Sequence, residues 1–131
     1  MRILLLSLVV FLTVSACKKY PEGPILSFHS RDARVAGSWA VEKVLVNSQE
    51  STGYYSKYTY SYGTDNSYTE NNGFNTLKGN WAFTSAEDSI IINYNTNQVL
   101  HRYKILKLKN KSMWLIENVN GANYEWQFKA N

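Results

Sequence analysis

The sequence predicts an all-β fold, a small antiparallel up-and-down β-barrel of about eight strands behind a cleaved signal peptide and a short spacer. Three observations predict it. From residue 38 to residue 129, apolar and polar side chains alternate largely with period two. The alternating runs are rich in β-branched and aromatic residues and are separated by connections too short for crossovers, so neighbouring strands pair antiparallel. Beyond Gly37 no stretch carries a convincing helical pattern. The chain has 131 residues, 44% hydrophobic and 15% aromatic, which suits one folded domain and excludes a disordered one.

The chain divides into residues 1–16, 17–29 and 30–131. Met1-Arg2 is a short positive start, and Ile3 to Val14 is an apolar run of 12 residues. A spanning helix needs ~20 apolar residues, so this segment reads as a cleaved signal. Val14-Ser15-Ala16-Cys17 resembles the lipobox of bacterial lipoproteins, and Cys17 is the only cysteine in the chain. The resemblance implies a diacylglycerol-modified Cys17 thiol, cleavage before it, and anchorage in a bacterial cell envelope, at the outer membrane. One acyl chain holds weakly and two or three hold durably, at ~0.8 kcal/mol per buried CH₂. Lys18 and Lys19 follow, and Pro21 and Pro24 make the next residues unfit for a helix or a central strand. Residues 17–29 are the lipidated terminus and spacer.

Ser30 to Ala36 is one helical turn, with Ser30 as N-cap, Asp32 in the first turn and Gly37 as the stop. The strands expected after it are Ser38 to Asn47, Tyr54 to Tyr62, Ser67 to Glu70, Asn75 to Thr84, Ser89 to Asn95, Val99 to Lys109, Ser112 to Asn118 and Asn123 to Lys129. Asn120-Gly121 is a strong hairpin signal, because a type I′ turn needs positive φ at both central positions. Alternation places Tyr58, Tyr60 and Tyr62 on one face, likewise Trp81 and Phe83, Ile90, Ile92 and Tyr94, and Tyr124, Trp126 and Phe128. Two strands break phase. Trp39 and Val41 fit one face while Val44 and Val46 fit the other, which a bulge near Glu42-Lys43 reconciles. The same conflict separates Tyr103 and Ile105 from Leu106 and Leu108. One-sided alternation around a long meander calls for closure, which removes exposed edges.

Gly37-Ser38-Trp39 opens the first strand directly after the helical turn, and Gly79-Asn80-Trp81 and Tyr124-Glu125-Trp126-Gln127-Phe128 follow in later strands. With the lipobox and the Tyr20-Pro21-Glu22-Gly23-Pro24 spacer, this layout resembles the short lipocalin-like lipoproteins of bacterial envelopes. The resemblance implies an eight-stranded barrel whose base is closed by Trp39, and a small apolar or amphipathic ligand in its mouth. The family's near-terminal arginine over that tryptophan has Lys129 as its candidate counterpart here.

Little in the sequence points to catalysis or a cofactor. His29 and His101 have no partner at metal-ligand spacing, and zinc needs three or four converging ligands. Glu87 and Asp88 sit in a turn composition, and His101 beside Arg102 reads as a strand-surface pair. No nucleophile elbow, phosphate loop or dinucleotide fingerprint occurs. Without the signal, 13 Lys+Arg stand against 10 Asp+Glu, an excess too small and too dispersed to argue for nucleic acid. Arg102, Lys104, Lys107, Lys109 and Lys111 form a basic hairpin that reads as a solvated face. The expectation is a non-enzymatic protein with no metal or cofactor, whose candidate ligand contacts are Trp39, Tyr58, Tyr60, Trp81, Tyr103 and Trp126. Eight inward aromatics, each burying about 150–250 Å², would leave little void, so the interior is either a cup or a plug. A cup predicts a solvent-connected cavity of at least ~300 Å³. A plug predicts an interaction module contacting an envelope protein or glycan through exposed Tyr54, Tyr55 and Tyr68 or the basic hairpin.

Overall fold

The computed structural model describes residues 30–131; the signal, Cys17, Lys18, Lys19, the rest of the spacer and His29 lie outside the described residues. A short helix, α1 (Arg31–Val35), comes first. The Ser30 hydroxyl accepts from the Ala33 amide at 3.2 Å, and Asp32 lies in the first turn, where the helix dipole favours an acid. Gly37 then adopts φ +144°, a conformation open to glycine, and releases the chain into the first strand.

Nine strands follow: β1 (Gly37–Val46), β2 (Gln49–Glu50), β3 (Thr59–Tyr62), β4 (Ser67–Asn71), β5 (Thr76–Phe83), β6 (Ser89–Tyr94), β7 (Leu100–Lys109), β8 (Ser112–Val119) and β9 (Ala122–Ala130). Each consecutive pair from β3 to β9 is antiparallel, and β1 pairs with both β3 and β9. Eight strands therefore close into an up-and-down barrel. The two-residue β2 folds back on the far end of β1 through Asn47 and Ser48, both at positive φ. Asn120 and Gly121 likewise have φ of 51° and 86°, the geometry an Asn-Gly hairpin requires.

Both phase breaks are bulges. The β1–β9 register shifts between Val41 and Lys43, leaving Glu42 as the extra residue, and Val44 returns to the interior fully buried. The β7–β8 register shifts between Ile105 and Lys107, and Leu108 is again inside. The bulges bend β1 and β7, the curvature a small barrel needs to close.

The second strand is shorter than its tyrosine alternation suggests. Only Thr59–Tyr62 pairs, and Thr52–Tyr54 is a 3₁₀ turn. The cause is competition for the edge of β1. Beyond Ala40 that edge is taken by the Thr52 hydroxyl, which accepts from the Val44 amide, by the Ser51 amide, which donates to the Val44 carbonyl, and by β2. Tyr54 to Tyr58 is left outside the ladder, held by local bonds such as Tyr58 N–H to the Tyr55 carbonyl.

The two ends of the barrel differ. At the base, Val35, Trp39, Trp81, Ile90, Ile105, Leu108 and Met113 are buried. The Trp39 indole donates to the Val35 carbonyl at 2.8 Å, which ties α1 across this end. Arg34 of α1 donates to the Leu108 carbonyl at 3.1 Å, so a base-end arginine comes from before β1, while Lys129 is exposed opposite Ala40. The Trp81 indole donates to the Gly63 carbonyl at 3.0 Å and pins the β3–β4 turn to the same end. Burying a large aromatic or aliphatic side chain contributes about 1.5–3 kcal/mol, and at the base these groups pack without the open cavity found at the other end.

Candidate functional site

The opposite end, the mouth, is formed by the ends of β1, β4, β6 and β8 and the starts of β3, β5, β7 and β9. There the interior is partly open as a cavity of about 220 Å³. Ile92, Leu115 and Phe128 line its floor, and Tyr60, Tyr62, Tyr68, Tyr94, Tyr103 and Trp126 line its walls. Tyr55 and Tyr58, from the segment excluded from the ladder, also line it; the Tyr55 ring meets Trp126 edge-on at 4.8 Å and Tyr58 edge-on at 5.3 Å. The volume is below the ~300 Å³ expected of a drug-sized site. An apolar cavity of ~150 Å³ holds benzene, so this one has room for a small molecule.

Three ionisable side chains share the cavity with the rings. Glu70 of β4 accepts hydrogen bonds from the Tyr68 hydroxyl at 3.0 Å and the Tyr94 hydroxyl at 2.7 Å, both on Oε2. His101 of β7 and Glu117 of β8 meet at 2.6 Å between Nδ1 and Oε1. The imidazole lies edge-on to Tyr94 at 5.3 Å and stacks near Tyr103 at 6.3 Å. Burial pushes the Tyr60, Tyr62, Tyr68, Tyr94 and Tyr103 phenols above their ordinary range, and the Glu70 charge adds to the shift of each. These phenols stay protonated at neutral pH, and those of Tyr68 and Tyr94 donate to Glu70. Among the described residues no three His, Cys, Asp or Glu side chains converge as a metal site. Among the described residues no serine, threonine or cysteine lines the cavity beside His101 and Glu117.

Four of the six candidate contacts, Tyr58, Tyr60, Tyr103 and Trp126, line this cavity. Trp39 and Trp81 do not; they are inward but at the base, where each is 2% exposed and bonded to backbone. The base is filled, and the mouth opens into a cavity of about 220 Å³, smaller than the ~300 Å³ that a cup predicts. His101 is a correction to the sequence reading: it turns inward, on the parity of Tyr103, while Arg102 points out and lies 3.9 Å from Asp88. Tyr68 is a second correction, being 2% exposed, and Tyr55 is half-buried in the mouth, so only Tyr54 of that trio is exposed. Glu70 and Glu117 did not stand out in the sequence, although their parity with Tyr68 and Leu115 marks them as inward.

The mouth carries a rim of exposed apolar groups. Tyr54 and Phe74 are 86% and 88% exposed, and Val99, Leu100 and Val119 are also open to solvent. These five come from four separate stretches of chain that all lie at the mouth. The basic hairpin is solvated in part, with the Lys107 ammonium 4.2 Å from the centre of the Trp114 ring. Glu87 and Asp88 belong to the β5–β6 turn. Hydrogen bonds from the Ser89 and Thr84 hydroxyls hold the Asp88 carboxyl below its ordinary range.

No family model matches the chain, and no curated protein matches it. Among solved structures it is similar to a DUF4847 family protein from Bacteroides vulgatus ATCC 8482, with a TM-score of 0.52 at 11% identity. The match covers 74% of this chain and 94% of the other. At that identity the likeness shows the fold, and it supports the all-β barrel.

Proposed function

We propose that this protein is a lipid-anchored, lipocalin-like envelope protein that binds a small amphipathic molecule in the barrel mouth. The observation that carries the reading is the composition of the cavity. Its walls are aromatic, yet Glu70, His101 and Glu117 sit among them. Withdrawing ionisable groups from water costs free energy, and an apolar filling would serve the barrel's stability better. Groups of this kind are useful where a ligand supplies part of their pairing.

Anchorage rests on the sequence. The Val14-Ser15-Ala16-Cys17 motif follows the apolar run, and an acylated Cys17 would tether the barrel through a short spacer to the outer membrane of a bacterial envelope. Fractionation of cells expressing the full chain and its Cys17→Ala variant tests it. The parent should partition with membranes and carry acyl mass, and the variant should not; an unmodified Cys17 thiol in the mature parent would refute the anchor. Native mass spectrometry of the intact protein, followed by denaturing extraction, tests ligand binding. A small molecule released from the parent and not from a Tyr60→Ala, Trp126→Ala double variant is the expected result.

The exposed rim favours a second reading, an interaction module that docks an envelope protein or glycan. Tyr54 and Phe74 are near each other around a surface groove that also includes Lys57. Alanine at both should then abolish crosslinking to that partner while leaving ligand release unchanged.

A further inference from the structure

The charges of the cup narrow the chemistry of its occupant, provided the binding reading holds. Among the described residues, Glu70 and Glu117 face one cavity with a single imidazole, and no lysine or arginine lines it. Whichever state the imidazole takes, the formal charge of the cup is negative. Glu117 is partnered by His101. Glu70 has no cationic partner among the described residues, and both phenols that reach it donate to Oε2, leaving Oε1 without a described donor. Around these carboxylates stand ring faces and edges, including Trp126, the ring type that holds cations best. An anion would meet repulsion here, and a neutral apolar molecule would bury the Glu70 charge without pairing it.

We infer that the cup selects a small organic cation, an ammonium on a compact aromatic or alkyl body, with the ammonium against Glu70 and the body among the rings above Phe128. Glu117 adds to the attraction and orients His101, whose ring closes one side. Room for a benzene-sized body and a short side chain is consistent with a volume of about 220 Å³.

The test uses three probes of one shape and different charge: phenethylammonium, 2-phenylethanol and phenylacetate. Each is titrated into the full-length protein in detergent, and binding is read by calorimetry and by quenching of tryptophan fluorescence. Phenethylammonium should bind at least ~10-fold tighter than 2-phenylethanol, a difference of about 1.4 kcal/mol, and phenylacetate weakest of all. Glu70→Gln should remove that preference, and Glu117→Gln should reduce it, each read as the ratio of phenethylammonium to 2-phenylethanol affinity within the same variant. Binding of 2-phenylethanol or phenylacetate as tight as that of the cation would overturn the charge selectivity and leave the cavity a ligand site. No binding of any of the three at millimolar concentration would overturn the binding reading and this inference with it. The comparison among probes on the parent protein stands even if a glutamine variant fails to fold.

Discussion

Tyr68, Glu70 and Tyr94 offer the sharpest test of how the mouth is built. Two phenols donate to one carboxylate oxygen, Tyr68 almost fully buried and Tyr94 nearly so. Their rings also meet edge-on at 5.7 Å. Tyr68→Phe keeps that ring contact and removes one hydrogen bond to a charged group, a loss of about 1.5–3 kcal/mol. Glu70→Leu leaves two donors without an acceptor; an unsatisfied hydroxyl away from water costs about 1–3 kcal/mol, and less where the cavity that both tyrosines line lets water in. Replacing all three, as Tyr68→Phe, Glu70→Leu and Tyr94→Phe, removes donors and acceptor together and should return stability to within ~1 kcal/mol of the parent. For a domain of this size a loss of about 2 kcal/mol lowers Tm by about 8–16 °C. Urea unfolding followed by tryptophan fluorescence reads the series, with an unchanged slope as the check that only stability moved. A triple variant as unstable as the summed single changes would refute the reasoning. It would show that the trio contributes to folding rather than being carried for the cavity.

Other consequences can be measured on the same protein. The Tyr60, Tyr62, Tyr68 and Tyr103 phenols have folded values raised by burial, so their contribution to stability is complete below pH 10 and is lost as pH rises above it. Each lowers stability by up to ~1.4 kcal/mol per pH unit there. Absorbance at 295 nm should therefore rise cooperatively with loss of circular dichroism near pH 11–12; gradual ionisation of these groups near pH 10 with the fold intact would contradict their burial. Gly79→Ala would drive a Cβ into the Asn93 carbonyl across the β5–β6 ladder and should destabilise by about 1–3 kcal/mol in urea melts. Trp39→Ala should cost about 3–5 kcal/mol by emptying the base, and the folded fraction should keep the affinity of the parent, because Trp39 does not line the cavity.

Most of the barrel can be read from local pattern. The phase breaks at Val41–Val44 and Ile105–Leu108 are enough to mark the two bulges, because a period-two face can change only where an extra residue enters. Asn120-Gly121 marks its hairpin by dihedral need alone. The Tyr54–Tyr58 segment is different. Its alternation is strand-like, and only non-local competition from Thr52 and β2 for the edge of β1 keeps it out of the ladder. The site shows the same division. Tyr58, Tyr60, Tyr103 and Trp126 follow from parity, and so do Glu70, His101 and Glu117 if parity is allowed to override the expectation that charged residues face water. What parity cannot supply is height along the barrel. Trp39 and Trp81 face inward as surely as Trp126 does, and what separates plug from cup is the end at which α1 and the β3–β4 turn are fastened.

That fastening gives the two ends different physical roles. The base is held by indole-to-backbone bonds and by aliphatic packing that water does not reach, so its energy depends little on pH or salt. The mouth contains ionisable groups, an apolar rim and a covering segment whose amides bond locally rather than to a neighbouring strand. Few ladder bonds must break for Tyr55 and Tyr58 to move, which places the 52–58 segment at the low-stability end of the domain. Amide exchange should be fast across this segment and slow in β6, β8 and the base half of β1. A ligand in the cup would slow exchange at Tyr55 and Tyr58 first, because it would rest on rings that the barrel itself holds only loosely.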